Sequence, residues 1–181
     1  MGDPLEPSEL RFSLRNYRYK VTGDGQGVGR IASSDSVIFK VPLDTGFYIQ
    51  RMYYKEFDGD LILIYEVSDN EMGAGKVVRL ARNTLRMKWQ QHIPAFSIGQ
   101  GLVEGNMVYI TAIGFVAKRD LSLGSFVWKH DDLYKDFHFN YFELPRIESD
   151  TVFFKEIPQS EDISTKTIKA QKNTGEILSF D

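Results

Sequence analysis

The sequence contains no cysteine. This absence excludes disulfide bonds, thiolate catalysis and zinc sites with cysteine ligands. The sequence also lacks any run of about 18 apolar residues, the length that a membrane-spanning helix needs. Its start, MGDPLEPSELRF, has neither the basic nor the apolar part of a secretion signal. We therefore expect no contact with a membrane and favour the cytoplasm, with a secreted protein whose signal was trimmed as the alternative.

Neither sign of charge dominates the chain. It has 22 basic and 25 acidic residues, a net charge of −3, which is too balanced for a general polyanion binder, so we expect no nucleic-acid partner. Charge is instead local. Residues 76–88 carry five basic side chains and no acid, and strand alternation predicts that Arg79, Arg86 and Lys88 project from the outer face of a sheet. Residues 131–162 hold nine acids against three basic residues.

Helical periodicity is scarce, and strand patterns follow one another along the chain. Segments rich in branched and aromatic residues alternate with turns containing Gly, Asp or Asn from residue 10 onward. Only DDLYKDFHF predicts a helix, a short one with Asp131 as its N-cap. Residues 1–9, with two prolines and three acids, predict a flexible lead-in. The remainder, 10–181, predicts a single all-β domain.

The glycine-rich stretch GDGQGVGR has its glycines at every second position. A dinucleotide-binding loop needs G-x-G-x-x-G before a helix, and a P-loop needs G-x-x-x-x-G-K-[ST]. Neither spacing occurs here, so this stretch predicts a hairpin between two strands.

Three segments of similar layout begin at Asp58, Glu104 and Glu148, 46 and 44 residues apart. Each contains an acidic or small polar turn, an apolar strand, a strand with a basic residue, a second turn and a last strand with a large apolar residue. Trp89, Trp128 and Leu178 take that last position, and SSDSVIFKVPLDTGFYIQRMYY is a shorter copy. A sheet of this size cannot bury both faces alone, so the repetition predicts sheets that stack on one another.

The segments GLVEGNMVYITA with FVAKRDLSLGSFVWK, KVVRLARNTLRMKW and KTIKAQKNTGEIL carry a resemblance. They resemble the quinoprotein-like (PQQ-type) β-propeller repeats over about residues 58–180. The resemblance implies a small propeller-like array of about four antiparallel blades, with residues 10–21 closing the ring against the last blade. A two-sheet β-sandwich and an open meander are the alternatives. The family's quinone enzymes use a disulfide of adjacent cysteines and a calcium site, so in this cysteine-free chain we expect no cofactor.

Motifs that carry chemistry are few. The sequence has no G-x-S-x-G, and we assign no catalytic residue and no metal ligand. The region of His130 and His138, with the neighbouring Asp131 and Asp132, is the one place where a metal site or a hydrolase is an alternative. Its other interpretation is a solvated loop that caps the short helix.

The composition favours a non-catalytic protein-binding module over an enzyme. Its size and mild acidity also fit a dedicated inhibitor of a partner enzyme or basic toxin, in the manner of bacterial immunity proteins. A small-ligand or metal-binding β domain that uses the axial mouth of a propeller is the alternative. The acidic, aromatic segment predicts the contact surface, because aromatic anchors with a charged rim suit interfaces. The predicted contact residues are Asp131, Asp132, Tyr134, Asp136, Phe137, Tyr141 and Glu143.

Overall fold

The computed structural model of the chain describes residues 10–14, 17–24, 28–33, 36–42, 47–68, 73–82, 84–158 and 165–181, with side chains from residue 47 onward. These residues form sixteen strands and one short helix, grouped in four antiparallel sheets of four strands each. In every sheet the strands lie side by side in chain order. The expected all-β, propeller-like architecture is therefore confirmed. No helix in the described ranges has the length and apolar character needed to cross a bilayer.

The first sheet contains β1 Leu10–Leu14, β2 Tyr17–Asp24, β3 Val28–Ser33 and β4 Ser36–Pro42. The second contains β5 Tyr48–Phe57, β6 Asp60–Ser68, β7 Gly73–Ala81 and β8 Met87–Ile93. The third contains β9 Leu102–Glu104, β10 Met107–Ala112, β11 Phe115–Asp120 and β12 Phe126–His130. The helix α1, Leu133–Phe137, precedes the fourth sheet of β13 Arg146–Glu148, β14 Thr151–Lys155, β15 Thr167–Gln171 and β16 Ile177–Phe180.

The sheets stack because their central strands are apolar on both faces. All nine residues of β6 are buried. Leu61 and Leu63 belong to a core on one face of the second sheet, and Ile62 and Ile64 pack against residues of the third sheet on the other. Tyr109 of the third sheet packs in turn against the fourth. Strands covered on both faces read as almost continuous apolar runs, which explains the sequence of β6.

A β-bulge at the same place in each sheet fixes which residues correspond. The pairing of the last two strands shifts between Arg79 and Leu80, between Lys118 and Arg119, and between Lys169 and Ala170, and also between Ile31 and Ala32. The residues just beyond the bulge, opposite Arg79, Lys118, Lys169 and Ile31, are Trp89, Trp128, Ser179 and Phe39. The expectation that Leu178 is the third member was wrong. Leu178 is the extra residue of the bulge, and its side chain is exposed.

Both tryptophans make the same contact with the next sheet. The Trp89 indole N–H donates to the Leu121 carbonyl at 3.0 Å, and that of Trp128 donates to the Lys172 carbonyl at 3.1 Å. A Cβ placed on Gly124 or Gly175 would lie 2.8 and 2.6 Å from the respective ring. Each ring therefore lies against a turn of the neighbouring sheet, and this common environment supports the predicted repetition.

The carbonyl that accepts the indole N–H also accepts a bond from a basic side chain. Arg79 donates to Leu121 O at 2.9 Å, and Lys118 donates to Lys172 O at the same distance. Arg79 is buried and also pairs with Asp60 at 2.5 Å. The expectation that Arg79 projects from an outer face was therefore wrong, because it lies on the packed face. Arg86 and Lys88 are exposed as expected, although Lys88 pairs with Asp60 at 2.6 Å.

Some other expectations need correction. The sequence pattern predicts one strand over FSIGQGLVEG, but only Leu102–Glu104 form a strand, because the first half of the segment is the linker from the second to the third sheet. The proposed shorter repeat spans two sheets, β4 and β5, and so is not one unit. Residues 1–9, the tip of the glycine-rich hairpin at 25–27 and the Asp44-Thr45-Gly46 turn lie outside the described residues. The hairpin's two strands, β2 and β3, are paired as predicted. Ring closure by residues 10–21 stays a prediction; outside its own sheet, β2 contacts β5 of the second sheet.

Candidate interaction surface

Helix α1 is fixed to the third and fourth sheets by residues at its two ends. Leu133 is buried, and its N–H donates to Gly114 O at 3.1 Å. At the other end His138 takes a left-handed conformation, which turns the chain so that Phe139 is buried as well. The structure places the N-cap at Asp132, without a side-chain capping bond, so the expectation of Asp131 as the cap was wrong.

This anchoring leaves the other side of the helix in solvent. Tyr134 and Phe137 are 55% and 43% exposed, although large apolar rings are usually covered in a folded domain. Asp132 at the start of the helix and Asp136 within it are exposed too, and neither has an ion pair in the described part of the chain. Asp131 is exposed too and pairs with Lys129. The helix thus presents two rings among three carboxylates.

The linker that follows carries the last two predicted contact residues. Tyr141 is half-buried and Glu143 is exposed. Glu143 N donates to Lys155 O, and Ile157 N donates to Tyr141 O, both at 2.8 Å, so the linker runs beside the end of β14. The buried carboxylate of Glu156 accepts the Asn140 N–H at 2.8 Å. The linker's backbone is therefore held in place.

Five of the seven predicted residues therefore lie on α1 or on the linker after it, and Asp131 and Asp132 directly precede the helix. We call these residues the acidic surface. Its residues and Lys135 sum to a formal charge of −3, and two of the four carboxylates, those of Asp131 and Glu143, pair with Lys129 and Lys155 at its edge. The alternative interpretation, that the rings of this segment fill the core, holds for Phe139 and Phe142, which are buried.

One aromatic contact of this surface was not predicted. The ring of Phe137 stacks on that of Phe180, the last residue of β16, with centroids 4.4 Å apart. Phe180 is itself 42% exposed. Because the two residues are far apart in sequence, only the sheet order brings them together. The exposed apolar area next to Asp136 is therefore larger than the segment 131–143 alone provides.

A cleft of about 330 Å³ adjoins the acidic surface and shares Tyr141 and Glu143 with it. Arg51 and Tyr53 of β5 line it, together with residues of the two linkers that enter the third and fourth sheets. The linker before the third sheet is pinned there: Arg51 donates to Ile98 O at 3.1 Å, and the buried Glu66 accepts Ile98 N–H at 3.0 Å. The cleft therefore has fixed walls with tyrosine, arginine and carboxylate groups on them.

The two histidines do not converge on one site. A ring nitrogen of His130 lies 2.7 Å from the carbonyl oxygen of Gly175, so His130 contacts the fourth sheet. His138 is exposed at the end of α1. Among the described residues, no group of three or more Asp, Glu or His side chains could hold a metal ion.

No protein-family model matches the sequence, and no curated protein is similar to it in sequence. Solved structures are similar in fold. The europium-containing methanol dehydrogenase matches with a TM-score of 0.50 and 12% identity over 74% of this chain and 27% of its own. The quinohemoprotein alcohol dehydrogenase ADHIIG from Pseudomonas putida HK5 gives 0.52 and 15% over 68% and 19%. The computationally designed Ika8 protein gives 0.54 and 9% over 94% and 48%.

These similarities concern the fold alone. They support the propeller-like arrangement that the repeats predict, and two of the three proteins are alcohol dehydrogenases of the kind the resemblance named. The chain spans less than half the length of each of these proteins. Identities of 9–15% carry no activity over to it.

Proposed function

We propose that this protein is a non-catalytic protein-binding module that contacts its partner through the acidic surface. The observation that carries the proposal is the exposure of Tyr134 and Phe137 on a helix anchored from behind by Leu133 and Phe139. Burying such rings against a partner releases water from apolar area, and preformed aromatic anchors lose little entropy on binding. Their place among carboxylates is that of a hot spot inside a polar rim.

The charge of the acidic surface favours a partner with a basic face. Asp132 and Asp136 have no ion pair within the described ranges, so a lysine or arginine of the partner would not have to displace an existing one. Complementary charge also speeds the encounter and excludes acidic competitors. A basic enzyme or toxin inhibited by this protein is the form of partner that we propose.

The experiment compares the proteins that co-purify with variants of this chain from its native source. The surface variant carries Asp132→Lys, Asp136→Lys and Phe137→Ser. We expect it to lose a stoichiometric partner that the unchanged protein retains. Equal recovery of that partner by the surface variant would reject the acidic surface as the contact site.

A matched control places the same charge change at the opposite end of the fourth sheet. Asp150 and Glu176 are exposed in turns that lie one strand length, about 17 Å, from the end of β14 that contacts the linker. The control variant Asp150→Lys, Glu176→Lys should retain the partner. Loss in both variants would indicate a general effect of net charge and would contradict a local contact.

The cleft supports a second candidate function, the binding of a small ligand. Arg51, Tyr53 and Tyr141 line one space with pinned walls, and a preformed cleft with a few polar side chains is typical of ligand sites. A thermal-shift screen of metals, cofactors and small polar molecules tests it. A stabilising compound whose effect disappears in Arg51→Ala, while Asp132→Lys retains it, would favour this candidate over the protein-binding module.

A further inference from the structure

The pairing register defines four corresponding positions on the face that each sheet turns toward the next one, which we call the forward face. Two of them are the third and fifth residues of a sheet's second strand. The other two are the third-strand residue that pairs with that fifth residue, and the fourth-strand residue just beyond the bulge. In the second sheet these positions hold Ile62, Ile64, Val77 and Trp89, and in the third sheet Tyr109, Thr111, Val116 and Trp128. Except for Trp89 and Trp128, their side chains are fully buried, and the apolar ones pack with residues of the following sheet.

The fourth sheet has a different forward face. Its corresponding residues are Phe153, Lys155, Thr167 and Ser179, none of which is buried. Ser179 in particular replaces a tryptophan, so both the ring and the indole N–H that hold the previous two interfaces are missing. A neighbouring sheet would find neither an apolar surface nor the clamping contact here.

Ion pairs cover this face instead. Lys155 pairs with Glu143 at 2.7 Å, Lys169 pairs with Asp181, and Arg146 pairs with Glu148. The Arg146 guanidinium lies over the Phe153 ring, 4.6 Å from its centroid, and so shields the one aromatic residue of the face. In the preceding sheets Lys118, the counterpart of Lys169, instead crosses to the next sheet. Covering the fourth face would take three charged pairs out of water, which costs more than it returns without new partners.

We infer that the forward face of the fourth sheet is a solvated cap of the stack, and that the four sheets form an open arc in which this face receives neither the first sheet of the chain nor the first sheet of a second copy. Terminal repeats of stacked arrays need such a polar outer face for solubility. The inference does not depend on the proposed function, and it opposes the ring closure that the sequence predicts.

Site-directed cross-linking tests this directly, because the chain has no native thiol. In a closed ring Ser179 would lie beside Ser36. Ser179 corresponds to Trp128, which lies on Gly175 of the next sheet, and Ser36 comes directly after the residue of the first sheet that corresponds to Gly175. A variant with Ser36→Cys and Ser179→Cys is treated with a short bismaleimide. The control pair is Glu104→Cys and Lys172→Cys, whose native side chains meet across the third and fourth sheets at 3.2 Å.

We expect the control pair to cross-link within one chain and the Ser36 and Ser179 pair not to cross-link. Ser179→Cys alone should react readily with maleimide in native buffer, because position 179 is only partly buried. An intramolecular link between positions 36 and 179 would overturn the inference by showing a closed ring. A link between two chains of the single Ser179→Cys variant would overturn it by showing a second copy on this face. Strong protection of that thiol in native buffer would do the same.

Discussion

The indole ring of Trp128 lies against Gly175 of the next sheet, so closely that a Cβ on Gly175 would come within 2.6 Å of the ring. Gly175 also has a φ of +76°, a conformation that other residues adopt at a cost. The same relationship joins Trp89 and Gly124 one sheet earlier. Contacts between a ring and a bare backbone therefore hold consecutive sheets together.

The substitution Gly175→Ala should destabilise the protein strongly. Backbone strain costs about 1 kcal/mol, and the clash with Trp128 adds about 1–3 kcal/mol. Gly105→Ala is the matched control, because Gly105 has a similar φ of +54° but open space around it. Urea denaturation of both variants measures the difference. Equal losses would show that the ring contact contributes nothing.

The shared acceptor at Lys172 predicts coupling between its two donors. Trp128→Phe and Lys118→Met each remove one bond to this carbonyl and should each cost about 1–2 kcal/mol. The double variant leaves the carbonyl without either donor, so its loss should exceed the sum of the single losses. A double-mutant cycle by urea denaturation gives the coupling free energy, and strict additivity would argue against a joint role.

The register assigns Leu178 to the bulge and Ser179 to the clamp position. Leu178→Ala should therefore change the free energy of unfolding by no more than about 0.5 kcal/mol, as at other exposed sites. Leu133→Ala, a fully buried control, should cost about 2–5 kcal/mol. A loss at Leu178 as large as that at Leu133 would restore the assignment made from sequence.

The buried phenol of Tyr109 should make the stability of the fold depend on pH. Burial, with a contribution from Glu104, raises the pKa of Tyr109 well above its ordinary value of 10.0. Above that value the unfolded chain releases the proton while the folded chain keeps it, so this residue's contribution to stability falls as pH rises through 10. Tyr109→Phe should lose less stability between pH 8 and pH 11 than the unchanged protein does. Urea midpoints at each pH measure these losses. Equal losses of stability in the Tyr109→Phe variant and the unchanged protein would contradict the raised pKa of Tyr109.

Most of the strands could be predicted because period-two patterns between glycine and asparagine turns survive in a single sequence. The strand β13 was missed, since Arg146–Glu148 has only three residues, and β3 was predicted only as one side of the glycine-rich hairpin, since Gly29 interrupts its apolar pattern. A bulge leaves no trace in composition, which is why Leu178 was placed one residue out of register. Burial of Arg79 was equally hidden, because it depends on a carbonyl of the next sheet.

The candidate site likewise has features that the sequence predicts and features that arise only in the fold. Segment 131–143 could be identified from its mixture of rings and carboxylates, and the structure confirms that Tyr134 and Phe137 are exposed. Its pairing of Phe137 with Phe180 depends on sheet order, and the cleft depends on two linkers that meet only in the fold. No local pattern in the sequence encodes either feature.

The most direct test of the protein-binding proposal is the association rate of the co-purified partner as a function of salt concentration. For the unchanged protein we expect the rate to fall as salt rises, because attraction to the acidic surface is screened. For the variant Asp131→Lys, Asp132→Lys, Asp136→Lys we expect association at low salt to be about tenfold slower or more, and to speed up as salt screens the repulsion. Identical rates and salt dependence for the two proteins would contradict the central claim that this surface binds the partner.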